Sequence, residues 1–399
     1  MTQKTRVALI MGTRPEVIKM MPVHRELRKL PQFETLLIST GQQREMSQQA
    51  FESFGASPDV KLDVMTPNQD LPSLTSRLII AISDCLGTCA PDIVLVHGDT
   101  TTTLAAGLAS FYRKIALGHV EAGLRTYNFA APWPEEMNRR LVDPLCTWCF
   151  APTALSRKNL LAERIPEERI FVTGNTVIDA LMETRLKLTS AGFDAATAAK
   201  AKHVPSAFIE RFCKEGAPGT LILVTGHRRE SFGEAFEALC RGILGVADRF
   251  PNVGIMYPVH LNPNVLAPVR RILGGHDRIC LTSPVSYEEF IALMARSHFI
   301  LTDSGGVQEE APSLGKPVLV MRETTERPEG IESGTCKLVG TDEEAIFTEA
   351  NRLLSDPGAF DQMAHAVSPY GDGAAAARIR YALFRELGID SPAAPMWEA

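Results

Sequence analysis

Residues 298–322, HFILTDSGGVQEEAPSLGKPVLVMR, place two short apolar segments around a glycine-rich turn and an acidic stretch. The pattern predicts strand, turn, helix, strand. Residues 299–301 form a buried strand, Asp303 and Ser304 end it, and Gly305 and Gly306 let the backbone come close to whatever sits there. The next helix starts with unpaired N–H groups, which together with the helix dipole attract phosphate. Pro312 and Gly315 end that helix, and residues 318–321 return as a parallel strand. Glu309 and Glu310 would repel a phosphate, yet carboxylates accept hydrogen bonds from the paired hydroxyls of a ribose. The stretch is then either an αβ turn whose glycines serve packing or a nucleotide-diphosphate pocket.

Working outward, 399 residues exceed what one hydrophobic core usually serves, so two domains with a ligand cleft between them are expected. A hydrophobic fraction of 45% with 22% charged residues describes a soluble globular chain, and no apolar run approaches a membrane span. No membrane partner is expected. The start, MTQKTRVALIMG, enters a strand at once and lacks the marks of a signal peptide, which predicts a cytoplasmic protein. A net charge of -6 without a basic block excludes a nucleic-acid partner, which needs a positive stripe. Eight cysteines are too sparse for a disulfide scaffold and suit reduced, buried thiols. Cys85 with Cys89 and Cys146 with Cys149 have a spacing that raises zinc, but no histidine pair supports it, and Trp148 and Phe150 point to core.

Along the chain, residues 6–11 form a strand, GTRPE turns, and Pro15 opens a helix with Val17, Met20, Met21, His24, Leu27 and Leu30 on one side, kinked at Pro22. Further strands fall at 33–39, 93–97, 115–120 and 170–173, with helices at 42–54, 74–89 and 101–112. This alternation predicts a parallel, doubly wound sheet. Residues 186–204, rich in alanine and lysine, predict a helical domain boundary. From Leu221 the pattern repeats: strand LILVT, turn GHRRESFG, helix 234–249, strand 253–258, turn HLNPN. A second Rossmann-like domain follows, contains the stretch quoted first and closes near Leu354. The tail PYGDGAAAARIRYALFREL is a capped helix, with Asp372 and Gly373 at its start and Ile379, Leu383 and Leu387 on one face.

In such sheets ligands bind at the carboxyl ends of the strands, where strand order reverses. Arg14, Lys19, Asp99, Glu121 and the run His227 to Arg229 all follow strands. No GxGxxG or GxxxxGK[ST] occurs, so NAD and ATP lack support and no cofactor is expected. What remains is a set of three carboxylates (Asp99, Glu121, Glu135), a histidine and several cations. Cations suit a diphosphate, while carboxylates suit sugar hydroxyls or proton transfer. Plainer roles stay open. Asp99 could cap the following helix, His227 could be a satisfied buried histidine, Arg228 or Arg229 could pair with Glu230, and Arg14 and Lys19 could pair with the second strand. Glu136 reads as a structural carboxylate in the first turn of its helix.

The set GTRPE, VHGDTTTTL, HVEAGLRT, PWPEEMNRR, TGNTVIDAL, GHRRESFG, PVHLNPNV, TDSGGVQEEAPSLGKPVLVMRETTERPEG and PYGDG resembles the bacterial non-hydrolysing UDP-N-acetylglucosamine 2-epimerases, from about Arg6 to Ile379. The resemblance implies the GT-B architecture, two Rossmann-like doubly wound domains with the active site in the cleft between them. Residues 1–178, joined by the C-terminal helix at about 369–399, would be the first domain, and residues 179–368 the UDP-binding domain. It implies cofactor-free interconversion of UDP-N-acetylglucosamine and UDP-N-acetylmannosamine through a 2-acetamidoglucal, for cell-envelope polysaccharide, by a homodimer. Asp99, Glu121 and Glu135 map as acid and base carboxylates, and His227 as a phosphate partner and proton donor. Arg14, Lys19, Ser304, Gly305, Gly306, Glu310 and Arg327 map as UDP-binding residues, with Phe290 near the uracil. The chain departs from the family pattern at Gln43, where relatives often carry histidine. It departs again at Glu45 and Asn68, where relatives with a second, allosteric site tend to carry glutamine and arginine, so the resemblance leaves allosteric activation open. A GT-B glycosyltransferase, a hydrolysing epimerase and a non-catalytic nucleotide-sugar sensor are the competing functions.

Overall fold

The computed structural model describes residues 4–66, 69–228, 231–389, 392–395 and 397. Asn68, Arg229 and Glu230, used in the sequence readings above, lie outside them. Contacts divide the chain into two units, Met1–Ala180 with Tyr370–Ala399, and Leu181–Pro369.

The first unit is built on strands β1 (Thr5–Met11), β2 (Phe33–Ser39), β3 (Val60–Lys61), β4 (Ile93–His97), β5 (Ala116–Val120), β6 (Trp148–Ala151) and β7 (Ile170–Val172). They form one parallel sheet in the order β3-β2-β1-β4-β5-β6-β7, so the winding reverses between β1 and β4. All five residues of β4, IVLVH, are buried, as a central parallel strand covered on both faces requires. Helix Leu71–Cys89 covers the sheet with Leu74, Leu78, Ile82 and Leu86, four residues apart and all buried. Helix Arg14–Arg28 continues through Pro22.

The tail returns to this unit as helix Ala375–Glu386, whose Ile379, Leu383 and Phe384 are fully buried, with the Phe384 ring 4.5 Å from that of Phe33. Asp179 accepts from the amides of Ala375 and Ala376 at 3.1 and 2.9 Å and so caps it. Leu387 departs from the expected face. It is the residue after the last turn and is exposed.

The second unit carries β8 (Thr220–Thr225), β9 (Val253–Pro258), β10 (Ile279–Thr282), β11 (Ile300–Thr302), β12 (Val318–Val320) and β13 (Cys336–Leu338). Its parallel order is β10-β9-β8-β11-β12-β13, with the reversal between β8 and β11. Both units are Rossmann-like, as expected. Residues 186–204 are helical, within Thr176–Ser190 and Ala195–Ala201. Among the described residues no helix is long and apolar enough to cross a membrane.

Candidate active site

At the reversal point of the first unit, the loops after β1 and β4 are tied together by one carboxylate. Glu16 accepts from the amides of Gly12 and Thr13 at 3.0 and 2.7 Å, and from the hydroxyls of Thr100 and Thr103 at 2.7 and 3.3 Å. Thr100 caps helix Thr101–Tyr112, accepting from the amide of Thr103 at 3.2 Å, so the capping role open to Asp99 belongs to its neighbour. The Asp99 carboxylate instead pairs with Arg139, and its carbonyl accepts from Asn138 at 2.8 Å. Both partners lie on helix Glu135–Val142, which Glu135 opens. Glu135 and Asn138 line a cavity of about 360 Å³ together with Thr13, Gln42, Gln43 and Thr100. Arg14 follows Thr13, and its amide donates to Gln43 at 3.2 Å.

Glu121, the residue after β5, sits at φ 67°, a left-handed conformation that costs a non-glycine residue energy and needs its surroundings to hold it. Its side chain is 8% exposed and forms an ion pair with Lys19. Asn175 donates to the same oxygen at 2.7 Å, and His97 Nε2 lies 3.6 Å from it. Glu136 is structural, as its sequence position predicts: it is buried and accepts from the amides of Thr126 and Tyr127 at 3.0 and 2.9 Å.

Behind these groups, His119 bridges Asp143 (2.6 Å) and the carbonyl of Gly98 (2.7 Å), and Arg125 donates to Asp143 at 2.6 Å. Burial opposes the charge of Asp143, but His119 and Arg125 outweigh it and hold the carboxyl below its ordinary value. The turn carrying Asp99 is thereby fixed from inside. Cys146 and Cys149 are buried, and burial pushes the Cys146 thiol well above its ordinary value. Among the described residues no group of three or more His, Cys, Asp or Glu is placed to hold a metal ion.

The reversal point of the second unit has its own carboxylate bridge. Asp303, just after β11, is buried and accepts from the amides of His227 and Arg228, in the loop after β8, at 2.5 and 2.7 Å. The His227 side chain is 44% exposed and stacks on His260 with 5.4 Å between ring centroids. Burial lowers its pKa, His260 and Arg228 add to this, and Asp303 opposes it. The balance of these effects favours the neutral ring.

Glu326 sits among three guanidiniums: Arg322 and Arg327 at 2.8 Å and Arg228 at 3.6 Å. Burial disfavours its charge, yet the three arginines together hold it far below the ordinary carboxylate range. Arg327 also donates to Glu309 at 2.7 Å, so Glu309 is occupied within the protein. A Cβ at Gly305 would stand 2.5 Å from Arg327 Nη1, whereas at Gly306 the nearest atoms lie at 3.9 Å. Gly305 thus admits the arginine, and Gly306 leaves open space beside Ser304, the residue that starts helix Gly305–Glu310. Glu310 accepts from the Tyr287 hydroxyl at 2.8 Å, and Phe290 stands one turn further along helix Tyr287–Arg296.

His97, Asn175, Arg322 and Glu326 join these clusters without having been singled out in the sequence. Asn175 and His97 lie inside motifs quoted above, TGNTVIDAL and VHGDTTTTL, so their positions at the ends of β7 and β4 were the available signal. Glu326 stands next to Arg327 in the run MRETTERPEG, where alternating charge was the signal.

Two doubly wound parallel sheets, each with charged residues gathered where its winding reverses, define a protein of the GT-B architecture. A family model described as UDP-N-acetylglucosamine 2-epimerase matches residues 25–383. The chain is 52% identical over 378 residues to the UDP-N-acetylglucosamine 2-epimerase of Salmonella typhimurium, covering 95% of this chain and 98% of that one. The structure of UDP-GlcNAc 2-epimerase from Neisseria meningitidis, bound to UDP-GlcNAc, matches with a TM-score of 0.88 and 45% identity, over 96% of this chain and 100% of that one. An S. aureus structure with UDP matches with a TM-score of 0.86 and 40% identity, over 97% and 98%. The chain belongs to the UDP-N-acetylglucosamine 2-epimerase family, a family of isomerases, and so bears out the resemblance carried by its motifs.

Proposed function

We propose that the protein interconverts UDP-N-acetylglucosamine and UDP-N-acetylmannosamine without a cofactor, by removing UDP and adding it back. The C2 hydrogen of the sugar is not next to a carbonyl, so direct deprotonation is out of reach. Instead a carboxylate takes the C2 proton while the C1–O bond to UDP breaks, the C–H electrons forming the C1–C2 double bond of a 2-acetamidoglucal. UDP then returns to C1, and C2 receives a proton on the opposite face. The observation that carries this reading is Glu121, a buried carboxylate held in a strained conformation by Lys19 and Asn175 at the end of a central strand.

Glu121, Asp99 and Glu135 serve as the acid and base carboxylates, and His227 as a phosphate partner and proton donor. Arg14, Lys19, Ser304, Gly305, Gly306, Glu310 and Arg327 hold UDP, with Phe290 against the uracil. The first unit thus supplies the three carboxylates, and the second supplies His227 and most of the nucleotide contacts. Cations stabilise the charge that grows on the departing diphosphate. The product would supply cell-envelope polysaccharide synthesis in the cytoplasm. The active species is a homodimer. This is supported by the exposed apolar residues between 127 and 141 of the first unit, Tyr127, Phe129, Trp133, Met137 and Leu141, with Arg140 stacked 4.8 Å from the Phe129 ring.

Proton NMR of UDP-N-acetylglucosamine with the purified protein in D2O tests the reading. UDP-N-acetylmannosamine carrying deuterium at C2 is the expected product. Free N-acetylmannosamine and UDP would mean a hydrolysing enzyme, and no reaction with binding intact would mean a transferase or a sensor.

A further inference from the structure

Beside Glu121 lies a second proton-carrying group that the mechanism above leaves unused. His97 ends β4, pairs in register with Val120 on β5, and so comes next to Glu121, the following residue. Its ring is buried, with the side chain 4% exposed. Its Nε2 has no hydrogen-bond partner and stands 3.6 Å from Glu121 Oε2. That oxygen already accepts from both Lys19 and Asn175, which occupies its two in-plane lone pairs.

An N–H on His97 Nε2 would find no lone pair to bond there. A bare Nε2 would instead repel the carboxylate, and that accounts for a gap longer than a hydrogen bond. Once Oε2 is protonated in place of one of its two donors the repulsion becomes attraction, because the new O–H can point at Nε2. The surrounding charges are few. β5 presents Glu121 and His119, helix Arg14–Arg28 presents Lys19 and Glu16, and Asp99 follows in the same loop. Helix Thr101–Tyr112 presents the Thr103 hydroxyl, which donates to the His97 carbonyl at 2.6 Å.

We propose that His97 is a positioning residue that stores the proton of Glu121. After Glu121 takes the C2 proton, its O–H bond breaks as an N–H bond forms at His97 Nε2, giving an imidazolium and a regenerated carboxylate. The reverse transfer reloads Glu121 when it acts as the acid. Such a store answers a need of the reaction. Epimerisation takes a proton from one face and delivers one to the other, so the two acid–base groups end each turnover with exchanged protonation states; the store returns Glu121 to its carboxylate form, and the cycle closes when the imidazolium gives its proton to water and the second acid takes one from water. The inference rests on the elimination mechanism proposed above.

The test compares unaltered protein with His97→Gln, which keeps a hydrogen-bonding side chain but cannot carry the proton. The expected result is a kcat lowered about a hundredfold with KM and UDP affinity unchanged. An unchanged kcat would overturn the proposal. Nitrogen NMR of 15N-histidine-labelled, unaltered protein with UDP gives a check that does not depend on the variant folding. A bare Nε2 on His97 at neutral pH is expected, and a protonated Nε2 would refute the store outright. If the unaltered protein incorporates no deuterium at C2, the elimination reading fails first. If it does incorporate deuterium while His97→Gln matches it, only the store fails.

Discussion

Asp303→Asn tests whether the carboxylate bridge holds the His227 loop in place. The buried Asp303 Oδ2 accepts from two backbone amides, His227 at 2.5 Å and Arg228 at 2.7 Å, and its Oδ1 has no hydrogen-bond partner, lying 3.5 Å from His227 Nδ1. Hydrogen bonds to a charged acceptor contribute about 1.5–3 kcal/mol each and neutral ones about 0.5–1.5, so an amide oxygen that keeps both bonds still loses about 2–3 kcal/mol in total. The Asn NH2 group takes the place of Oδ1, which has no hydrogen-bond partner and lies 3.5 Å from His227 Nδ1, so no compensating bond is assured. For a unit of this size about 1 kcal/mol shifts the melting temperature by about 2–4 °C, which predicts a fall of about 4–12 °C.

Scanning calorimetry of the full chain, with kcat and KM measured on the same preparation, reads the effect. A lowered kcat should accompany the lowered melting temperature, because the loop that carries His227 loses its anchor. Asp303→Asn melting together with the unaltered protein and turning over at the same rate would refute the bridge as an anchor.

Gly305→Ala drives a methyl group to 2.5 Å from Arg327 Nη1. Displacing that guanidinium should remove about 1.5–3 kcal/mol of charge-assisted bonding, or about ten- to a hundredfold in UDP affinity by titration calorimetry; Gly306→Ala is the milder control. Glu326 has its folded-state pKa depressed from an ordinary 4.5, so its stabilisation is fully present above that value and is lost as pH falls through the folded one. Urea unfolding should therefore show unaltered protein losing stability below 4.5, while Glu326→Gln, weaker at neutral pH, varies less over the same range. Burial raises the thiols of Cys146, Cys213, Cys240 and Cys336, so a thiol reagent at mildly alkaline pH should label these four only after denaturant is added.

Strands were legible where β-branched and aliphatic residues ran together, as in IVLVH and LILVT, because burial on both faces leaves an unbroken apolar signal. β6 was passed over because WCFA reads as well as packed core as it does as strand, and β3 and β13 because strands of two and three residues carry little pattern. The positions of Asp99, Glu121 and His227 followed from the strands they terminate. Their partners did not. Lys19 and Glu121 are 102 residues apart, and no local spacing announces such a pair. The work of Glu16 and Asp303 was hidden for another reason: their partners are backbone amides, which every residue has and no sequence displays.

Those two carboxylates also explain how a doubly wound sheet can serve a diphosphate without a dinucleotide fingerprint. Where a GxGxxG loop offers its amides to pyrophosphate, the turn after β1 has its Gly12 and Thr13 amides taken by Glu16. The turn after β8 has its His227 and Arg228 amides taken by Asp303. In both units the carboxylate joins the loops on the two sides of the reversal point, from the first strand's helix in one and from the neighbouring strand's end in the other. On the proposed reading, the backbone donors after β1 and β8 are consumed in building the site, and the anion is met by the turn at Ser304 to Gly306 and by side-chain cations such as Arg14, Lys19 and Arg327. Side chains can follow a leaving group as it departs and returns, which a fixed amide cradle cannot. The elimination and re-addition of UDP proposed above would gain from that difference.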